Sequence, residues 1–197
     1  VYMPMDRRQA LAHGKTLPEY VQGAALFADV SGFTTLTESL ASELGLQRGA
    51  EEIIRHLNRV YSMLVDEVHR YGGSVITFSG DAITCWFDDL EPMGIQQASR
   101  SASAERAIAC ALVMQKGMHQ FAAIMTPAGT TIALAIKVAV TAGPVRRFLV
   151  GHPNLHQLDV LAGSTLAVLA ETEHEARRGD AARGASARGA LTDRRRF

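Results

Sequence analysis

The stretch Phe27-Ala28-Asp29-Val30-Ser31-Gly32-Phe33-Thr34 decides how this chain folds. Residues 24–30 are apolar almost throughout, the composition of a short strand buried on both faces. The strand stops at Ser31-Gly32, where Thr34 or Thr35 is placed to cap a helix carrying Leu36, Leu40 and Leu44. Asp29 therefore stands at the lip of a strand too apolar to welcome a charge, just ahead of a helix start. A second acid is placed in a similar way. In Val75-Ile76-Thr77-Phe78-Ser79-Gly80-Asp81-Ala82-Ile83, the turn Ser79-Gly80-Asp81 joins strands expected at 74–78 and 82–87.

Between the two acids, Ile53, Ile54, Leu57, Val60, Tyr61, Leu64 and Val68 follow a 3.6-residue period and predict a helix from about 50 to 71, stopped at Gly72-Gly73. After the hairpin come a loop at 91–100 and a helix from about 101 to 123, with Ala104, Ile108, Leu112 and Phe121 facing inward. Ile132, Leu134, Ile136, Val138 and Val140 alternate with smaller or polar residues and predict a strand. Gly143-Pro144 is expected to turn it into a short strand at 145–150, and a last helix is expected at about 160–170. This order predicts an α+β domain, helices packed on a mainly antiparallel sheet. Residues 1–21 read as a polar, irregular lead. Residues 171–197 read as a low-complexity Arg/Ala/Gly tail that buries too little to fold.

Composition narrows the function. Hydrophobic residues make up 47% and charged residues 20%, the balance of a globular domain. Twenty basic residues offset twenty acidic ones, so net charge points to neither nucleic acid nor a membrane surface as partner. No apolar run reaches the ~18 residues of a membrane span, and Val1–Arg8 lacks the apolar core of a signal peptide, which makes cytoplasm the expected location. Cys85 and Cys110 lie in apolar runs and read as buried, reduced thiols; Met114, Met118 and Met125 read as core filler.

Taken alone, Asp29 reads equally as a helix cap or as a ligand, and Asp81 reads as a turn aspartate. Together they say more. A helix N-terminus offers free N–H groups to phosphate oxygens. An acid beside such an anion site is paradoxical unless a cation lies between acid and phosphate. If the hairpin lies beside the first strand, both carboxylates reach one sheet edge and can share two cations.

The two motifs, Phe27–Thr34 and Phe78-Ser79-Gly80-Asp81-Ala82, resemble the metal motifs of class III adenylate/guanylate cyclase catalytic domains, and the interval from 29 to 81 with its long helix is similar too. The resemblance covers roughly residues 22–170. It implies a ferredoxin-like βαββαβ core with additions and two Mg²⁺ or Mn²⁺ ions on Asp29 and Asp81, assisted by the Val30 carbonyl. It further implies that Ser31, Gly32, Phe33, Thr34 and Gly80 cradle the substrate phosphates. The implied reaction is attack of a nucleotide 3′-hydroxyl on the α-phosphorus, releasing pyrophosphate and a cyclic 3′,5′-nucleotide. ATP is the implied substrate, with GTP as the other possibility.

The chain also departs from the family. The family site lies between two domains, one bringing metals and the other a base-reading lysine and a helix with Asn and Arg four positions apart. Thr77 stands where the lysine is expected. The register pairs Thr165/Leu169, Leu166/Ala170 and Ala167/Glu171 contain neither Asn nor Arg. Asp159 falls where the family selects the purine but reads more readily as the cap of the last helix. Arg146 and Arg147 read as solvated strand residues, and His152 and His156 as structural. The chain thus resembles the metal-bearing first half of tandem, soluble-type cyclases, expected to work with a complementary cyclase domain in the same or another chain. The alternative is a degenerate cyclase-homology module acting in nucleotide binding or regulatory dimerisation. A diguanylate cyclase is disfavoured because Phe78–Ile83 lacks that family's Gly-Gly-Asp/Glu-Glu-Phe turn. The family continues with further strands where this chain has the tail, which gives the expectation of truncation or frame shift in a longer cyclase.

Overall fold

The computed structural model of the chain describes residues 2–89, 102–152, 155–175 and 181–183. Its elements are α1 (Met5–Ala12), β1 (Tyr20–Ser31), α2 (Phe33–Leu44), α3 (Leu46–Arg70), β2 (Ser74–Ser79), β3 (Ala82–Asp88) and α4 (Ala102–Met118). After a short 3₁₀ turn come β4 (Ile124–Met125), β5 (Thr131–Ile132), β6 (Ala135–His152), β7 (His156–Ala162), α5 (Ser164–Glu175) and β8 (Ala181–Arg183). The fold is α+β. Its main sheet runs β2-β3-β1-β6-β7, antiparallel at every step, and β8 joins β6 in parallel. Strand β1 at the centre, with the β2–β3 hairpin on one side and β6 on the other, is the ferredoxin-like arrangement expected for a cyclase domain.

Alternation along β1 assigns its side chains to two cores. Ala24, Leu26, Ala28 and Val30 join the cluster beneath α2, α3 and α4, together with Leu36, Leu64, Ile83, Phe87 and Met114. Val21 and Ala25 belong to the opposite face, with Trp86, Val145 and Leu169 of α5, and Phe27 packs against them. By the same alternation Asp29 follows Ala25 and Phe27 onto that second face, where the strand ends and the apolar cover runs out.

Several expectations needed correction. The lead is not irregular, since Asp6 to Ala12 are helix-compatible residues; α1 occupies Met5–Ala12, with Pro4 as its N-cap and Gly14, whose φ is 64°, just past its end. Neither Thr34 nor Thr35 caps α2; the N-cap is Gly32, with no side-chain hydrogen bond. Gly143-Pro144 does not turn the chain. Strand β6 continues through it, pairing with β1 up to Tyr20↔Arg146 and with β7 from Arg146↔Ala162 onward. Proline is tolerated where the strand changes partner, and its carbonyl accepts a 2.6 Å hydrogen bond from Thr165 Oγ1. Residues 160–162 belong to β7, so the last helix starts only at Ser164 and extends to Glu175.

Three apolar residues expected inside are outside: Ile54, Leu112 and Met125 are exposed, while Met114 and Met118 are buried. In α4 the alanine-rich face packs instead, through Ala104, Ala107 and Ala111. Both cysteines are free and buried; burial pushes the Cys110 thiol up to about 12. The tail contributes β8, which pairs in parallel with Val138–Val140. The expected loop at 91–100 and the tail beyond residue 183 lie outside the described residues. No described helix is long and apolar enough to cross a membrane.

Candidate active site

Asp29 and Asp81 arrive from neighbouring strands. Asp29 sits opposite Ala82 across the β1–β3 ladder, and the Val30 N–H donates to the Asp81 carbonyl at 3.0 Å. The hairpin turn that carries Asp81 is fixed from α3: the Tyr61 hydroxyl donates to the Gly80 carbonyl at 2.9 Å, and its ring meets Phe78 edge-on at 5.6 Å. Burial raises the Tyr61 pKa, and the Asp81 and Asp29 carboxylates raise it further, so one phenol feels both acids.

The turn after Asp29 requires glycine. Gly32 has φ 100°, and a Cβ there would lie 2.5 Å from the Ala133 carbonyl oxygen. This turn starts α2 with no capping side chain and no acid in its first turn. The leading N–H groups of a helix have no partner within it. Ser31, Gly32, Phe33 and Thr34 lie in this turn or the first turn of α2, and Gly80 lies in the hairpin turn whose Asp81 carbonyl bonds the Val30 N–H. The Ser31 hydroxyl donates to the Ala135 carbonyl at 3.3 Å.

One residue of the site escaped sequence reasoning. Lys137 is the register partner of Asp29 on β6, and its ammonium lies 3.3 Å from Asp29 Oδ2 and 2.5 Å from Glu173 Oε1 on α5. The hydrogen bond to Glu173 raises the Lys137 pKa; desolvation opposes, and the bond to Asp29 adds to the rise. A lone lysine between Ile136 and Val138 was the available signal for Lys137; nothing local marked Glu173.

The donor set fits Mg²⁺ or Mn²⁺. Mg²⁺ is commonly held by one or two carboxylates plus substrate phosphates and water, not by an all-protein cage. Among the described residues no three His, Cys, Asp or Glu side chains form a group that could hold a metal ion. The Lys137 ammonium already places a positive charge against Asp29.

The purine side is different. Thr77 is exposed on β2, just past a register shift, and offers only a hydroxyl. Asp159 is no helix cap. It lies in β7, where its carboxylate accepts from Arg147 Nε and Nη2 at 2.8 Å each and from Arg7 Nε at 2.5 Å. Arg147, expected to be solvated, is buried and also donates to Asp6 of α1. The strand pattern explains both: Arg147 and Asp159 lie near one another on paired strands and point into the same apolar face, where neither charge can stay alone. Arg146 points outward, over the Tyr20 and Phe148 rings.

The architecture is that of a class III adenylyl/guanylyl cyclase catalytic domain. The adenylyl cyclase CyaB from P. aeruginosa superposes with a TM-score of 0.70 at 20% identity, covering 88% of this chain and 82% of that one. The guanylate cyclase domain of RhGC from Catenaria anguillulae, solved in complex with GTP, gives 0.65 at 19% identity, covering 89% and 84%. In sequence, adenylate cyclase type 10 of Homo sapiens is 40% identical over 65 residues, 33% of this chain and 4% of its own length. An uncharacterized protein of Mycobacterium tuberculosis is 32% identical over 133 residues, 66% of this chain and 21% of its own length. The chain thus matches only a small part of these longer relatives. No family model matches it.

Proposed function

We propose that this domain is the metal-bearing half of a nucleotide cyclase that converts ATP to 3′,5′-cyclic AMP and pyrophosphate when paired with a complementary cyclase domain. The observation that supports the reading is the main-chain bond from Val30 to the Asp81 carbonyl, which joins the two acid-bearing segments just ahead of the uncapped start of α2. Asp29, Asp81 and the Val30 carbonyl would hold two Mg²⁺ or Mn²⁺ ions. Bound there, the ions supply Lewis-acid polarisation of the attacking and leaving oxygens. Ser31 to Thr34 and Gly80 would orient the β- and γ-phosphates through main-chain groups. ATP is preferred over GTP through the likeness to adenylate cyclase type 10.

Partner dependence follows from what α5 and β2 lack. Thr77 cannot replace a lysine at the base, and α5 carries no Asn or Arg to stabilise charge in the transition state, where losing one such donor typically lowers the rate about 10²–10³-fold. A second reading, a nucleotide-binding module without turnover, is favoured by one observation: the Asp159 carboxylate is already engaged by Arg147 and Arg7.

The test mixes this chain with a cyclase domain that carries the Lys, Asn and Arg, then measures cyclic AMP and cyclic GMP with Mn²⁺. Expected is activity from the mixture that disappears with Asp29→Asn or Asp81→Asn. Retained nucleotide binding without product from any pairing would favour the module.

A further inference from the structure

Helix α5 carries no Asn or Arg, yet its last turn reaches the Asp29 end of the sheet. Leu169 is buried in the second core, beside Ala25, Trp86, Ala139 and Val145. Residues four apart share one side of a helix, so seating Leu169 turns Glu173 toward the same face of the sheet. Along β1 and β6 the register partners Ala25↔Thr141, Phe27↔Ala139 and Asp29↔Lys137 follow one another on that face. Asp29, Lys137 and Glu173 are therefore brought together where the apolar cover stops.

The three charges do not share equally. Lys137 Nζ lies 2.5 Å from Glu173 Oε1, a hydrogen bond, and 3.3 Å from Asp29 Oδ2. The ammonium is thus held chiefly by α5, although Asp29 is its direct partner across the ladder. All three side chains are less than one quarter exposed, so water screens them incompletely. Lys137 with Asp29 alone would be a neutral pair, and a cation arriving at Asp29 would have to displace the ammonium. With Glu173 the group keeps one net negative charge, and the ammonium has a closer acceptor to stay on.

We propose, on the reading of Asp29 as a metal ligand, that Glu173 is a positioning residue of the metal site. It acts through Lys137, anchoring the ammonium on α5 so that the Asp29 carboxylate stays available to Mg²⁺ or Mn²⁺.

Mn²⁺ binding to the purified chain, read by electron paramagnetic resonance of the free ion with Asp29→Asn as the blank, tests this in a double-mutant cycle. Glu173→Gln keeps the size of the side chain and removes its charge. It is expected to weaken Mn²⁺ binding about 1.4- to fivefold, the range of a partly exposed ion pair. In the Lys137→Met background the same change is expected to leave Mn²⁺ affinity unaltered, because the ammonium it works through is gone. An equal loss in both backgrounds would mean that Glu173 attracts the cation by its own charge. No loss in either would mean that it only fastens α5 to the sheet. Each of these results overturns the assignment. If Glu173→Gln fails to fold by circular dichroism, Glu173→Asp, whose carboxylate falls one methylene short of the ammonium, takes its place with the same two expectations. If the wild type binds no more Mn²⁺ than Asp29→Asn, the metal reading of the site fails, and this inference with it.

Discussion

Lys137 Nζ lies 3.3 Å from Asp29 Oδ2, directly across the β1–β6 ladder, so the first candidate metal ligand carries its own counter-ion. The ammonium is shared with Glu173, which offers it an alternative carboxylate when a divalent cation takes Asp29. Both side chains of the Asp29–Lys137 pair are about one quarter exposed, which keeps the competition modest.

Replacing Lys137 with methionine should therefore tighten Mn²⁺ binding in the absence of nucleotide. A partly exposed pair is worth roughly 0.2–1 kcal/mol, so the gain should be about 1.4- to fivefold. Calorimetry or electron paramagnetic resonance of free Mn²⁺ reads it directly. Weaker binding in Lys137→Met would mean that the lysine organises Asp29 and does not compete for it.

The buried network at Arg147 makes a stability prediction. Arg147→Met leaves the buried Asp159 with Arg7 as its remaining ion-pair partner and removes the cation that pairs with Asp6. Breaking a buried pair in this way costs about 3–5 kcal/mol. The double change Arg147→Met with Asp159→Leu removes both charges and should recover a large part of that loss. Urea unfolding of the two variants checks the ordering; equal stability of single and double variants would contradict it.

How much of this was legible beforehand depends on where the information sits. Asp29, Gly32 and Asp81 were readable because each breaks a local rule: an acid ends an apolar strand, and a glycine separates it from a helix. The central strand, the hairpin and the long helix α3 carry strong periodicity and fell where expected. Asp159 and Arg147 were misread because their pairing depends on β6 running straight through Gly143-Pro144, which local turn chemistry argued against. The helix α1 was missed because its anchoring comes from Ser74, Arg147 and Asp159, far away in sequence.

The same network fixes a pH response. Burial pushes the Asp159 carboxyl up, but the Arg147 and Arg7 hydrogen bonds outweigh it, and the net shift is downward. As pH falls, the unfolded chain takes up the proton first, near the ordinary value of about 3.9. The stability that Asp159 contributes is complete above that value and is lost as pH falls through the lower folded value. Urea midpoints measured from pH 6 to pH 2.5 should therefore fall more steeply below pH 4 in the wild type than in Asp159→Asn. Parallel curves would show that Asp159 is not linked to acid unfolding.

Gly32 separates the phosphate-facing turn from the metal ligands, which allows the two to be tested apart. Alanine at this position must adopt φ near 100° and would place its methyl 2.5 Å from the Ala133 carbonyl oxygen, a backbone atom that cannot swing aside. The left-handed conformation alone costs roughly 1–2 kcal/mol for a residue with a Cβ, and relief of the contact must move the start of α2. Asp29 and Asp81 are held independently, through the β1–β3 ladder and the Tyr61 bond to Gly80. Gly32→Ala should thus keep Mn²⁺ binding within about twofold while weakening a non-hydrolysable ATP analogue tenfold or more, since a displaced helix start no longer aims its N–H groups at the phosphates. A variant that folds and binds the analogue normally would remove the main-chain cradle from the proposed site and leave the phosphates to the cations and Lys137.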